Sequence, residues 1–378
     1  MSRSGIDEFY EIIRVILAKF YSEREGYRYL PTWEDCNCLL TSHGEEIGFI
    51  LDGVIRLQTP PDLFHELQYI LDDADISGQD FHALDQVFEQ LTSRSYKADK
   101  GQYFTPRHVI DMCVEAVDPQ PGELVCDPAC GSGAFLKSAH SYALSRHGQS
   151  PKLFGFDYSH RACQVAKTMA LLTAGGAISV SQLDSLRRPS RRLIDETDAS
   201  IETVMGEGFS GFDVIVTNPP FAGDVASEKF VSDYDMAALF PRRLERDVLF
   251  IERCIGLLKV GGRLAIVLPD NKVSGRAFRD LRLWMSKRCA ISSVVSLHRY
   301  TFLPHTSQKA AVIFATRQPT SMRPYDSEIL FFRSDRPGKS SNGAYLFADG
   351  RDARAPHYQA LDHDLREIAP LIRASQCS

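Results

Sequence analysis

From Leu124 onward, short apolar runs alternate with stretches of helical length, and this rhythm narrows the possible folds more than any other feature of the chain. The runs are Leu124–Cys126, Leu153–Phe156, Ile178–Val180, Phe212–Thr217, Arg263–Leu268, Ser292–Leu297 and Ala311–Ala315. Helical stretches at 134–146, 159–173, 244–258 and 276–288 fall between most of them. Strands alternating with helices predict a parallel, doubly wound α/β sheet whose ligands bind beyond the carboxyl ends of the strands. Two polar inserts, 187–211 and 222–243, interrupt the rhythm at strand ends, where binding loops usually sit.

The chain before the sheet reads differently. Ile6, Phe9, Tyr10, Ile13, Ile16, Leu17 and Phe20 recur at helical spacing, as do Phe81, Leu84, Val87, Phe88 and Leu91. Between them, Cys36–Leu57 is expected to hold a short hairpin. After the sheet come one strand-like run, Ile329–Phe332, a Gly/Ser-rich break at 337–343 and a short terminal helix. The expected organisation is a mainly helical N-terminal domain (1–98), a sheet domain (99–330) and a C-terminal extension (331–378).

Composition excludes several classes. No uncharged apolar run approaches the roughly 20 residues of a membrane span. Asp7, Glu8 and Glu11 break up any signal-peptide pattern. The nine cysteines lack zinc-site spacing and read as reduced thiols in a cytoplasm. A formal net charge of −6 suits a polyanion poorly, because phosphate contacts supply most non-specific DNA affinity. Either the basic residues are segregated or another subunit provides the grip. Basic runs lie at Arg187-Arg188-Pro-Ser-Arg191-Arg192, at Arg242-Arg243 and along Arg276, Arg279, Arg282, Lys287 and Arg288. Solvated helix faces are the default reading for such runs, although the first two sit in the inserts, where phosphate contact fits.

Four stations carry chemistry. Asp127-Pro-Ala-Cys-Gly131-Ser-Gly133-Ala-Phe135 follows the first strand, and glycines at a strand-to-helix turn let backbone N–H groups approach a ligand. Neither the dinucleotide fingerprint nor a phosphate loop is present, and the leading acid suits an ammonium better than a phosphate. Asp157, ending the second strand, suits two ribose hydroxyls or caps the next helix. Asp184, past the third strand, fits an adenine amino group or an ordinary turn. The fourth station is Phe212-Asp-Val-Ile-Val-Thr-Asn218-Pro219-Pro220-Phe221. Its prolines fix the backbone and remove donors, leaving carbonyl acceptors beside the Asn218 amide and a flat apolar ring. An adenine taken out of its helix needs that environment.

These stations resemble the amino-methyltransferases of DNA that carry the cofactor motif first. Gly101-Gln-Tyr103-Phe104-Thr105-Pro106-Arg107 looks like their further upstream cofactor motif. With the helical N-terminus, it makes the chain similar to the modification subunit of type I restriction-modification systems. The likeness runs from about residue 70 to 317, includes Gly261-Gly262-Arg263, and is specific at 101–107, 127–135 and 218–221. It implies a Rossmann-like class I methyltransferase sheet that uses S-adenosylmethionine to methylate adenine N6 in DNA.

By position, the resemblance gives Asp127 the cofactor's amino group, with Ala129, Gly131 and Gly133 near its methionine part. Phe104 and Thr105 would close over that end beside Tyr103, Asp157 with Tyr158 would hold the ribose, and Asp184 would meet the cofactor's adenine. Asn218, also placed in the cofactor set, would take the target base with Pro219, Pro220 and Phe221. A metal ion and a cysteine nucleophile are not required, and Cys126 and Cys130 read as packing residues. Three positions depart from the family pattern. Asp157 stands where Glu is commoner, Ala310 where Thr is frequent, and the helix after Asp157 lacks a usual Asn.

The implied partners are DNA and a separate sequence-reading specificity subunit, and self-association is compatible with the sequence. Two other readings stay open. One is a cofactor-binding scaffold, inactive without its partners. The other keeps the chemistry but acts on RNA adenine or protein glutamine. The chain is also compatible with being a piece of a longer protein.

Overall fold

The computed structural model describes residues 7–27, 29–61, 64–65, 68, 76, 104–189, 199–221, 223–225, 229–326, 328–348 and 360–376. Two compact units emerge, Met1–Ser95 with Gln164–Ala177, and Tyr96–Cys163 with Ile178–Ser378.

The first unit opens with α1 (Glu8–Arg24), capped by Asp7, whose side chain accepts from the Phe9 N–H at 3.0 Å. The hairpin expected over Cys36–Leu57 is not formed. That stretch holds α2 (Trp33–Ser42), α3 (Gly44–Ile47) and successive turns. The reason is periodicity: Cys36, Leu40, Ile47, Ile50 and Leu51 bury together on one core instead of alternating as a strand requires. Thr32 caps α2 by accepting from Asp35 N at 3.2 Å, and the Asn37 side chain accepts from Leu57 N at 2.8 Å. The apolar pattern of Phe81, Leu84, Val87, Phe88 and Leu91 lies outside the described residues.

The second unit is the sheet. Helix α4 (Arg107–Val117) leads into β1 (Leu124–Asp127), α5 (Ala134–His147), β2 (Lys152–Asp157), α6 (His160–Ala174) and β3 (Ile178–Gln182). From Gln164 onward, α6 belongs to the first unit. There follow α7 (Ile201–Met205), β4 (Phe212–Thr217), α8 (Asp235–Leu239), α9 (Arg246–Leu257) and β5 (Leu258–Pro269). The chain continues through α10 (Asp270–Ser274), α11 (Arg279–Ser286), β6 (Cys289–Ser296), β7 (Ala310–Arg317), β8 (Leu330–Arg333) and α12 (Leu365–Gln376).

The strand order is β3-β2-β1-β4-β5-β7-β6-β8. Strands β3 to β5 pair in parallel, as does β8 with β6, whereas β7 runs antiparallel to both β5 and β6. The parallel, doubly wound sheet expected from the alternation is formed by β3 to β5, and β7 is the strand that runs against it. Residues 297–309, which join β6 to β7, contain no helix to carry the chain back across the sheet, so the strand returns alongside its predecessor. Strand order reverses between β1 and β4, and crevices at such switch points are where open α/β sheets bind ligands. Beneath this point Phe212, Ile215, Leu264 and Ile266 pack with Val248, Ile251, Cys254 and Ile255 of α9. Each large side chain removed from water there contributes roughly 1.5–3 kcal/mol. In Gly261-Gly262-Arg263, Gly261 turns at φ +86° and Arg263 grips Glu123 and the Val117 carbonyl. Among the described residues no helix is long and apolar enough to cross a membrane.

Candidate active site

The ends of β1 and β4 flank the switch point with Asp127 and Asn218, and the ends of β2 and β3 place Asp157 and Asp184 further along the same edge. Asp127 ends β1 with 1% of its surface exposed. Its Oδ1 accepts from Thr217 Oγ1 at 2.6 Å and from the Ala129 N–H at 3.1 Å. Burial pushes this carboxyl up from an ordinary 3.8 to about 7. The two hydrogen bonds oppose that rise, and the charge of Asp157 adds to it.

The loop after β1 is shaped by Gly131 at φ +52° and Gly133 at φ +78°, a region that other residues adopt only under strain. A Cβ built on Gly131 would meet no atom of the described residues within 4 Å, so among them the loop backbone borders open space. On its other side the loop is tied to β2: Cys130 N donates to Phe156 O at 3.0 Å and Gly131 N to Asp157 Oδ2 at 2.9 Å. Asp157 also accepts from Ser159 N at 2.8 Å, and burial raises its carboxyl. The short acid thus organises the glycine loop after β1 and the turn into α6 together. Gly155 makes room for this, since a Cβ there would lie 2.9 Å from Leu136 Cδ1 and 3.0 Å from Cys130 Sγ. The thiols of Cys126 and Cys130 are pushed far up by burial and pack as small apolar groups.

Asp184 lies just past β3, where its Oδ1 accepts from Leu186 N at 3.1 Å and its Oδ2 lies 3.7 Å from Arg187 Nε. Tyr158 is 76% exposed. Tyr103 lies outside the described residues, while Phe104 and Thr105 are half-buried.

Asn218 comes directly after β4, and its Nδ2 donates to Thr105 Oγ1 at 2.9 Å. The upstream Phe-Thr-Pro element and the Asn-Pro-Pro-Phe turn are therefore joined side chain to side chain. Pro219 is buried, and Pro220 and Phe221 are half-buried. The ring of Phe221 meets buried Phe302 edge-on, with centroids 6.0 Å apart at 62°. Phe221, Glu245, Pro269, Asn271, Lys272 and Gln308 border a cleft of about 210 Å³.

Three contributors carried no sequence signal as site residues: Thr217, which reads as an ordinary strand threonine, Phe302, and Lys272. Of the basic runs, Arg188, Arg282 and Arg288 donate to groups within the protein. Arg242, Arg243, Arg276 and Arg279 are exposed, and Arg191 and Arg192 lie outside the described residues. Among the described residues, no group of three His, Cys, Asp or Glu is placed to hold a metal ion.

The sequence pattern of a family described as N-6 DNA Methylase matches residues 79–348. The chain is 27% identical over 277 residues to the type I restriction enzyme EcoEI methylase subunit of Escherichia coli, covering 70% of this chain and 52% of that one. It is 28% identical over 250 residues to the StySPI methylase subunit of Salmonella potsdam, covering 64% of this chain and 45% of that one. It spans about half the length of these relatives. In fold, it resembles the type I restriction-modification methyltransferase subunit from Streptococcus thermophilus. That likeness has a TM-score of 0.62 at 18% identity and covers 96% of this chain and 74% of that one.

Proposed function

The chain belongs to the N-6 DNA methylase family, and from that premise we propose that it transfers a methyl group from S-adenosylmethionine to the N6 amino group of adenine in DNA. In this reading it is the modification subunit of a restriction-modification or related defence system. The observation that carries the proposal is the adjacency of Thr217 and Asn218. The first donates to the Asp127 carboxylate, and the second opens the base motif and donates to Thr105.

The residues fit the cofactor. Asp127 and Asp157 are buried acids at neighbouring strand ends, both raised by desolvation, so a ligand bringing an ammonium and ribose hydroxyls supplies the partners that favour their charged forms. Open space over Gly131 leaves the backbone accessible. Asp127 would hold the amino group, with Ala129, Gly131 and Gly133 along the methionine part and Phe104 and Thr105 covering it beside Tyr103. Asp157 and Tyr158 would take the ribose, and Asp184 the adenine amino group.

Bound S-adenosylmethionine supplies an electrophilic methyl on a positively charged sulfur. The protein's task is then to make a poor nucleophile reactive, because the adenine amino nitrogen is conjugated into its ring. The Asn218 side-chain carbonyl and the Pro219 carbonyl accept the two amino hydrogens, which favours a more tetrahedral nitrogen with an available lone pair. The same acceptors stabilise positive charge as it develops on that nitrogen. Pro219 and Pro220 offer no N–H to compete for the base, and Phe221 stacks on it.

The −6 charge and the naming of both relatives as methylase subunits support a separate sequence-reading subunit, with DNA as substrate. Self-association is compatible with this reading. The cysteines of the described residues are thiols, which fits a reducing cytoplasm. Incubating the protein with methyl-labelled cofactor and genomic DNA, with and without co-purifying polypeptides, tests the proposal. Digestion to nucleosides should place the label in N6-methyladenine. Label in 5-methylcytosine, in RNA or in protein instead would refute it.

A further inference from the structure

Lys272 lies in α10, three residues beyond the end of β5, and is only 2% exposed. An ammonium so deeply buried requires counter-charge. Its Nζ hydrogen-bonds Glu245 Oε2, lies 3.2 Å from Oδ2 of fully buried Asp247, and sits 4.3 Å from the centre of the Phe278 ring. Arg243 approaches the other oxygen of Glu245 at 3.1 Å. The Lys272 carbonyl accepts from Arg282.

Glu245 is also the point where the segment after Asn-Pro-Pro-Phe is fastened. It bridges Asp224, flanked by backbone bonds from Val225 N to Leu244 O and from Arg246 N to Gly223 O, both 2.9 Å. Gly223 turns the chain at φ +112°, two residues after Phe221. Contacts therefore run from Lys272 through Glu245 to Asp224 and Gly223, two residues after Phe221, and Lys272 and Phe221 line the same cleft. The cofactor-side acids draw their bonds from Thr217, Ala129, Gly131 and Ser159 instead. A buried ion cluster is a weak source of net stability compared with an apolar replacement, and its better-attested use is to hold one arrangement against others.

We propose that Lys272 is a positioning residue for the target base: through Glu245 and Asp247 it holds the Phe221 segment as a fixed wall of the cleft in which adenine is seated. This rests on the DNA-adenine reading above.

The test compares Lys272→Met, Lys272→Arg and the uncharged triple variant Lys272→Met/Glu245→Gln/Asp247→Leu in methyl transfer to genomic DNA fragments. Cofactor affinity is measured by calorimetry and folding by thermal melts. Misplacement of a base wall by about 1 Å costs on the order of 100-fold. Lys272→Met should therefore lower kcat/KM for DNA about 10- to 100-fold, and Lys272→Arg should recover most of it. In both, cofactor affinity should stay within about twofold of the parent, on the same premise. The triple variant avoids stranding a buried charge, so it should fold and still show the DNA-side loss. Parental kcat/KM in folded Lys272→Met or in the triple variant overturns the proposal, as does an equal loss of cofactor affinity. Absence of adenine methylation by the parent protein would instead refute the proposed function itself.

Discussion

On one side of Asn218, Asp127 and Asp157 stand at the ends of adjacent strands and take their hydrogen bonds from backbone N–H groups and from Thr217. On the other side, Phe221 rides on a loop whose anchors are an edge-on contact with Phe302 and an ion cluster around Lys272. The first side is set by sheet register and by bonds to its own backbone. The second is set by side chains drawn from four separate segments. Under the proposed function, a site divided in this way would fix a small, constant ligand with backbone and seat its macromolecular substrate against loop side chains held by their own contacts.

The comparison breaks first at Asp127. Asp127→Asn keeps shape and an acceptor while removing charge, and should weaken S-adenosylmethionine binding by roughly 10- to 150-fold, the range of a lost charge-assisted hydrogen bond. The pH dependence sharpens this. An ammonium requires the ionised acid, so parental affinity should rise as pH increases through about 7, with proton release on binding below that value. The stability of the ligand-free protein runs the opposite way. The folded acid holds its proton up to about 7, whereas an ordinary acid releases it near 3.8, so stability should fall as pH rises through that window. Asp127→Asn should flatten both profiles, as calorimetry and melts across pH 4 to 8 would reveal.

The next effect lies on the loop side. Phe221→Ala should lose about 1–3 kcal/mol of stacking, roughly ten- to a hundred-fold in turnover efficiency, while Tyr or Trp retains much of the activity. Cofactor affinity should not change. If Phe221→Ala instead melts several degrees lower and its folded fraction methylates at the parental rate, the ring is structural.

The smallest effect joins the two sides. Thr217→Val removes the 2.6 Å bond that lowers the Asp127 pKa, so the midpoint of cofactor affinity should move to higher pH. Near pH 7 the loss should be about two- to tenfold. An unchanged pH midpoint would show that Thr217 does not tune Asp127.

The strand-side half was legible because its signals are local. An apolar run followed by an acid, or by Gly-x-Gly, marks where a strand ends and a turn begins, and each of the eight strands among the described residues overlaps an apolar run, although β5 starts five residues early at Leu258. Strand direction is not local: Ala311–Ala315 looks the same run either way, and only the helix-free return from β6 makes β7 antiparallel. Cys36–Leu57 misleads because its helices are short and broken by turns. Lys272 escapes notice for a related reason. A lone lysine among polar residues reads as solvated until Glu245 and Asp247, 27 and 25 positions earlier, fold against it. Asn218 and Thr105 were each visible as motif residues, but their hydrogen bond, across 113 positions, belongs to the fold alone.

The division between the two sides is tested most directly by titrating S-adenosylmethionine into Asn218→Ala in a calorimeter and assaying the same preparation for methyl transfer. Cofactor affinity should stay within about tenfold of the parent, the lost bond to Thr105 accounting for the difference, and transfer should fall by about 100-fold or more, as when a transition-state acceptor or donor is removed. Loss of cofactor binding in Asn218→Ala, with the protein folded, would contradict that division.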